Sequence, residues 1–213
     1  MPGPAPTLVL ASASPRRHEL LGRLGAPFEV RVADVDETMR AGERPADLVR
    51  RLAVDKARAG LAAAPEPDVV VVGADTVVTI DLEVLGKPVD GADAARMLRR
   101  LSGRTHRVLT GVAVARRRTV APRSADPAVV VGAATSLDVE VVVTDVVFED
   151  LADADVAWYV ATGEPLDKAG AYALQGAGAV LVREVRGSPD NVIGLPLATT
   201  RRLLAAAGID PLR

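Results

Sequence analysis

The chain has 213 residues, 49% of them hydrophobic and 25% charged, with a formal net charge of −2. That length and apolar content suffice for one sizeable core or two closely packed lobes, and they argue against disorder. With no cysteine, only 2% aromatics and no basic excess, the composition excludes disulfides, thiolate metal sites and a cysteine nucleophile, and it does not suit a dedicated nucleic-acid binder.

Met1 to Pro6 shows no positive segment and no long apolar run, so no signal peptide is expected. The longest apolar runs, such as Val69 to Val72, are too short to span a bilayer. The expectation is a soluble cytoplasmic protein that does not associate with membranes. Strand-like and helix-like stretches then alternate, the pattern of an α/β protein. Thr7 to Ala11 predicts a strand. Pro15 to Leu24 predicts a helix, with Ser14 as N-cap and Pro15 at the first helical position. Phe28 to Ala33 predicts a second strand, and Pro45 to Leu61 a long helix. Val69 to Ile80 reads as strand, followed by a hairpin at Asp81 to Leu85. A helix near Ala92 to Leu101 stops at Gly103, a suitable C-cap. Val-rich strands follow His106, then a helix near Leu151 to Ala161, a strand at Ala179 to Val185 and a closing helix at Leu197 to Ala207. The Arg-, Pro- and Ala-rich stretch Arg116 to Ala134 reads as a surface insertion or a long hairpin.

The informative residues are polar ones placed against this pattern. Arg17 falls inside the apolar stripe Leu20, Leu21 and Leu24, with Arg16 at its edge. A guanidinium facing a core needs an anion, and the start of a helix entered from a strand favours phosphate. Ser12, Ser14, Arg16 and Arg17 therefore form either a phosphate corner or an internal salt bridge with ordinary capping. Lys56 shares a helix face with Leu48 and Leu52, so it either meets a ligand or snorkels to the surface. Asp75 interrupts a strand apolar on both sides, just after Gly73, which permits close approach of a ligand or backbone. A carboxylate there serves metal binding or general-base work, or pairs with Lys56 or an arginine.

Asp34, Asp36 and Glu37 form an acidic group suited to a hard divalent cation, or else a solvated loop. Lys87 follows a Gly turn. The chain has no Walker A or HExxH motif, and its two histidines, His18 and His106, leave little material for a histidine metal site. His18 is expected on an exposed helix face. Cations aimed inward with carboxylates at strand ends describe a polyanionic ligand and a Mg²⁺-like ion.

Several blocks, in order, carry a family resemblance. Leu10-Ala11-Ser12-Ala13-Ser14-Pro15-Arg16-Arg17, Asp36-Glu37-Thr38, Lys56-Ala57, Gly73-Ala74-Asp75-Thr76 and Leu85-Gly86-Lys87-Pro88 are five of them. Leu101-Ser102-Gly103-Arg104-Thr105-His106, the run Gly163 to Gly176 and Asn191-Val192-Ile193-Gly194-Leu195-Pro196 complete the set. The chain resembles the Maf family of nucleoside triphosphate pyrophosphatases over nearly its whole length.

The resemblance implies one domain over 1–213. Its fold would be α/β and two-lobed, a long mixed sheet flanked by helices with a central cleft, similar to the inosine triphosphate pyrophosphatases. It implies release of pyrophosphate from a nucleoside triphosphate, with Mg²⁺ or Mn²⁺ as cofactor, often by a homodimer. Carried over by motif, Asp75 is the catalytic carboxylate, as proton acceptor or metal ligand, and Glu37 helps to hold the metal. Ser12, Arg16, Arg17, Lys56 and Lys87 surround the triphosphate, while Thr76 and Gln175 help select the base.

An amide at Gln175 matches the edge of a neutral pyrimidine, whereas the subgroup acting on 7-methyl-GTP tends to carry an acidic residue there. Lys168, Tyr172 and Gln175 together resemble the subgroup acting on dTTP and UTP. Two alternatives accompany this reading. One is a 7-methyl-GTP pyrophosphatase; the other is a non-catalytic regulator that inhibits septum formation.

Overall fold

The computed structural model describes residues 6–120 and 132–210. Among the described residues seven strands form one mixed sheet: β1 (Thr7–Leu10), β2 (Glu29–Val30), β3 (Val69–Ile80), β4 (Glu83–Leu85), β5 (Thr105–Val120), β6 (Gly132–Phe148) and β7 (Val182–Arg186). Their order is β2-β1-β3-β5-β6-β7, with β4 paired to β3 beyond the end of β1. β1 runs parallel to β2 and β3, and the remaining pairs are antiparallel. The helices are α1 (Pro15–Gly22), α2 (Pro45–Ala63), α3 (Gly91–Leu101), α4 (Asp153–Ala161), α5 (Pro189–Ile193) and α6 (Leu197–Ala206). Among the described residues no helix is long and apolar enough to cross a membrane.

β3 is the spine, and its alternation divides the molecule. Val70, Val72 and Ala74 pack with Leu8, Leu10, Leu20, Leu21, Leu203 and Leu204 beneath α1 and α6. Further along the same face, Val78 and Ile80 pack with Leu98, Leu101, Phe148, Tyr159 and Tyr172 beneath α3 and α4. Thr76 lies between these two cores, so one face of the strand carries both lobes and the boundary between them. The odd-numbered residues of β3 face α2.

Helix α2 sits unusually close to the sheet because the contact surface is made of small residues. A Cβ at Gly73 would fall 2.3 Å from the Ala53 carbonyl oxygen, and one at Gly111 would fall 2.2 Å from that of Val49. Ala53, Ala57, Ala113 and Ala115 complete the contact. The close approach that Gly73 permits is thus that of a helix backbone.

Local signals place α1 well: Ser14 Oγ accepts the Arg17 backbone N–H at 3.4 Å, with Pro15 starting the helix. β3 has the bounds its composition predicts, and Gly103 follows α3 at φ 65°. The second predicted strand shrinks to Glu29–Val30, both exposed at the sheet edge. The predicted strand Ala179 to Val185 is half right, since a 3-10 turn (Ala177–Leu181) precedes β7. In the stretch Arg116 to Ala134, residues Arg116 to Val120 pair with Gly132 to Ser136, so its ends extend the β5–β6 hairpin. Residues 121–131 lie outside the described residues.

Candidate functional site

A split in the sheet creates the site. β1 pairs with β3 only as far as Val72, and β4 takes up the same edge only from Val78. Between them, residues 73–77 pair, among the described residues, with β5 alone. That free edge lets a ligand reach Asp75 from one face of β3 and Thr76 from the other. A cavity of about 720 Å³ opens there, a size typical of a small-molecule site. Of the residues singled out from the sequence, Ser12, Arg16, Arg17, Glu37, Lys56, Asp75, Thr76, Lys87 and Gln175 line it.

On the α2 side, Lys56 does not snorkel: its side chain is 8% exposed. Its Nζ donates to Asp75 Oδ1 at 2.7 Å and meets Glu37 Oε1 at 2.6 Å. The glycine-floored seat of α2 explains this reach. The pairing offsets the cost of burying Lys56 and Asp75, and Glu37 reaches the same ammonium from the exposed side. Burial opposes ionisation of Glu37, but the hydrogen bond and charge of Lys56, with Arg17 and Lys87, hold its carboxyl below the ordinary value.

The acidic group predicted around Asp34 separates in the structure. Asp36 Oδ1 accepts the Thr38 backbone N–H at 2.9 Å, and only Glu37 of the three reaches the cavity. The described residues hold no cluster of three or more carboxylate or histidine ligands. Asp75 and Glu37 remain, and two carboxylates are the usual protein share of a Mg²⁺ site that water and substrate phosphates complete. Each spends one oxygen on Lys56 and has a second to offer, so this donor set fits a hard divalent ion.

On the other face of β3, Arg17 is buried and, among the described residues, has no carboxylate partner in hydrogen-bond reach. Its Nε donates to the Gly194 carbonyl at 2.9 Å, Nη1 to Ser12 Oγ at 3.3 Å and Nη2 to Thr76 Oγ1 at 3.0 Å. Thr76 Oγ1 lies 2.9 Å from Thr110 Oγ1, which donates to the Asn191 carbonyl at 3.0 Å. Asn191 Nδ2 in turn donates to Thr144 Oγ1 at 2.9 Å and the Val108 carbonyl at 3.1 Å. Burial pulls the Arg17 guanidinium below its ordinary pKa, against the raising fields of Asp75 and Glu37. Arg17 is therefore neither exposed nor salt-bridged: neutral oxygens fix its orientation and leave its charge uncompensated at contact distance.

Thr76, on the cavity wall, thus has its hydroxyl in contact with both Arg17 and Thr110. Thr110 and Thr144 escaped the sequence reading, and Asn191 entered it only as part of a family block, because each is an ordinary polar residue on its own element. Arg16 crosses the cleft to Asp167, Nη1 to Oδ2 at 3.4 Å. Lys87 and Gln175 are exposed on the cavity wall. His18 is exposed, as expected, while His106 is buried and its Nε2 lies 2.8 Å from the Tyr172 hydroxyl.

A family model described as "Maf-like protein" matches residues 7–207. The chain belongs to the Maf family. It is 55% identical over 207 residues to a "dTTP/UTP pyrophosphatase" of Anaeromyxobacter dehalogenans (strain 2CP-C), covering 96% of this chain and 95% of the relative. It is 49% identical over 208 residues to the protein of that name from Shewanella oneidensis, covering 95% and 98% of the two chains. It is also 49% identical over 199 residues to that of Escherichia coli O157:H7, covering 93% and 92%. This Maf chain thus shares nearly its full length with relatives that bear one enzymatic name.

Proposed function

We propose that this Maf protein hydrolyses dTTP or UTP, and related modified pyrimidine nucleotides, to the nucleoside monophosphate and pyrophosphate. The observation that carries the reading is the pairing, across one strand edge, of a carboxylate–lysine–carboxylate corner with a buried arginine that no carboxylate among the described residues contacts. A triphosphate supplies the anion that Arg17 lacks. The reaction adds water across the α–β phosphoanhydride: the P–O–P bridge breaks, the water oxygen joins one phosphorus, and its proton passes to a base. Asp75 Oδ is that base or a ligand that orders the water, with Lys56 fixing the carboxylate. Arg17, with Arg16 and Lys87 at the cavity wall, neutralises phosphate oxygens, and positioning with charge neutralisation is the main requirement of such displacements.

Asp75 and Glu37 are the residues that would hold Mg²⁺ or Mn²⁺. Such an ion supplies charge neutralisation and lowers the pKa of bound water. Also on the cavity wall, the Gln175 amide provides both a donor and acceptors for a neutral pyrimidine edge. A cytoplasmic location and a homodimer belong to the same reading, and sedimentation of the purified protein checks the second.

The test is pyrophosphate release with Mg²⁺ from dTTP, UTP, CTP, ATP, GTP and 7-methyl-GTP, for wild type and Asp75→Asn. The expected result is preferential turnover of dTTP or UTP, reduced about 10³-fold in the variant. Preference for 7-methyl-GTP would keep the enzyme and remove the pyrimidine assignment. A folded, metal-supplied wild type that turns over no nucleotide would remove both.

A further inference from the structure

Gln175 sits on a short irregular segment between Tyr172 and the 3-10 turn Ala177–Leu181, and no regular element supports it. Its flanks are nevertheless tied down at both ends by one pair of side chains. Tyr159, fully buried on α4, accepts the Ala173 backbone N–H at 3.0 Å through its hydroxyl and donates to Glu164 Oε1 at 2.8 Å. Glu164 then accepts the Gly178 N–H on Oε1 at 3.1 Å and the Ala177 N–H on Oε2 at 2.9 Å. Only Leu174, Gln175 and Gly176 lie between the clamped amides.

The fit is tight. A Cβ at Gly176 would fall 2.1 Å from Glu164 Oε2, and one at Gly178 would fall 2.5 Å from the Tyr159 hydroxyl. Gly176 has negative φ, so its missing side chain answers this approach and not a backbone requirement. Burial opposes the charge on Glu164, but the Tyr159 hydroxyl and then the two backbone donors outweigh it and hold the carboxyl below its ordinary value. Charge-assisted bonds of this kind are the stronger class, and a carboxylate that accepts all of them stays ionised across the neutral range.

We propose that Glu164 and Tyr159 are positioning residues for base selection: together they fix the Leu174-Gln175-Gly176 segment so that the Gln175 amide meets the nucleobase in one register. The proposal rests on the assignment of Gln175 to the base. Neither residue lines the cavity, so neither acts on the phosphates.

Steady-state kinetics with dTTP and GTP on Glu164→Gln, Tyr159→Phe, Gln175→Ala and the Tyr159→Phe/Gln175→Ala double variant test it. The neutral amide turns an N–H group toward the backbone donors, and the phenyl ring keeps its packing but loses both hydroxyl bonds. The expected fall in the dTTP-over-GTP ratio of kcat/KM is about tenfold for Glu164→Gln and about fivefold for Tyr159→Phe. The fall comes through KM, with kcat within about twofold, and the double variant discriminates no worse than Gln175→Ala.

A ratio unchanged in both clamp variants while Gln175→Ala loses it would overturn the clamp and leave the base assignment standing. Equal losses of kcat for both nucleotides would also overturn the clamp, as the sign of a merely structural role. An unchanged ratio in Gln175→Ala would overturn the base assignment itself, and with it the clamp's part in selection. Should Glu164→Gln fail to fold, Tyr159→Phe carries the comparison.

Discussion

Two buried cations face the same cavity and are held in opposite ways. Lys56, on the α2 side of β3, lies between Asp75 and Glu37, 2.7 and 2.6 Å away, so its charge is spent inside the protein. Arg17, on the other side, is held by a serine hydroxyl, a threonine hydroxyl and a carbonyl. The first arrangement organises carboxylates; the second presents a charge to whatever anion enters. Residue chemistry suits each role. A flexible ammonium gathers two acceptors at one point, whereas a planar guanidinium can be fixed from three directions and still offer its face and free N–H edges.

Arg17→Lys breaks the comparison most directly. An ammonium cannot span Ser12, Thr76 and Gly194 together, so kcat/KM should fall about 10²-fold, mostly in KM, with about 1–3 kcal/mol lost in stability from the orphaned oxygens. Steady-state kinetics beside a thermal melt would show whether the loss lies in KM; a loss confined to kcat would mean that Arg17 is not the phosphate receptor.

Gly73→Ala attacks the other corner without touching its charges. The new methyl meets α2 backbone at Ala53 and Ala57, atoms that cannot swing aside, so overpacking should destabilise the fold by about 2 kcal/mol. Displacing α2 moves Lys56 away from Asp75, and kcat should drop while KM stays nearer to wild type. Urea melts and kinetics on the same preparation separate the two effects, and an unchanged kcat would detach the Lys56 corner from turnover.

The smallest effect is one of pH. Glu37 has its native pKa depressed, so its contribution to stability is present above its unfolded value near 4.5. That contribution is lost as pH falls through the lower native value. Its side chain is 61% exposed, so solvent screening keeps the contribution below about 1 kcal/mol. Denaturant titrations of wild type and Glu37→Gln between pH 6 and 3 should converge at the acid end. The Arg17 corner should show no counterpart, because arginine stays charged throughout that range.

Much of the site was legible because each residue contradicted its own surroundings. Arg17 stands in a leucine stripe, Lys56 on an apolar helix face and Asp75 within a valine strand, and each such conflict asks for a ligand or a partner. What remained hidden was relational. Gly111 is one more glycine in a strand until α2 is laid on it, and the α2 backbone lies where its Cβ would be. Thr110, Asn191 and Thr144 carry no local anomaly, yet they form a hydrogen-bonded chain that leads to the Thr76 hydroxyl beside Arg17. The run Ala179 to Val185 could not reveal that its first part winds into a 3-10 turn, because short apolar stretches lack periodicity and the Glu164 carboxylate that anchors Ala177 and Gly178 comes from another element.

The sequence by itself determined the α/β alternation, the bounds of β3, the capped start of α1, the family and the charged residues Arg16, Arg17, Glu37, Lys56, Asp75 and Lys87 of the cavity. These follow from short-range chemistry: capping, strand propensity, and the cost of a charge placed among apolar neighbours. Only the tertiary structure decided that β1 stops and β4 starts so as to leave residues 73–77 with an open edge, and that Lys56 is neutralised while Arg17 is not. Those outcomes depend on how closely α2 approaches the sheet and on which distant oxygens meet around one guanidinium, and such distances are set by packing between segments that no local pattern relates.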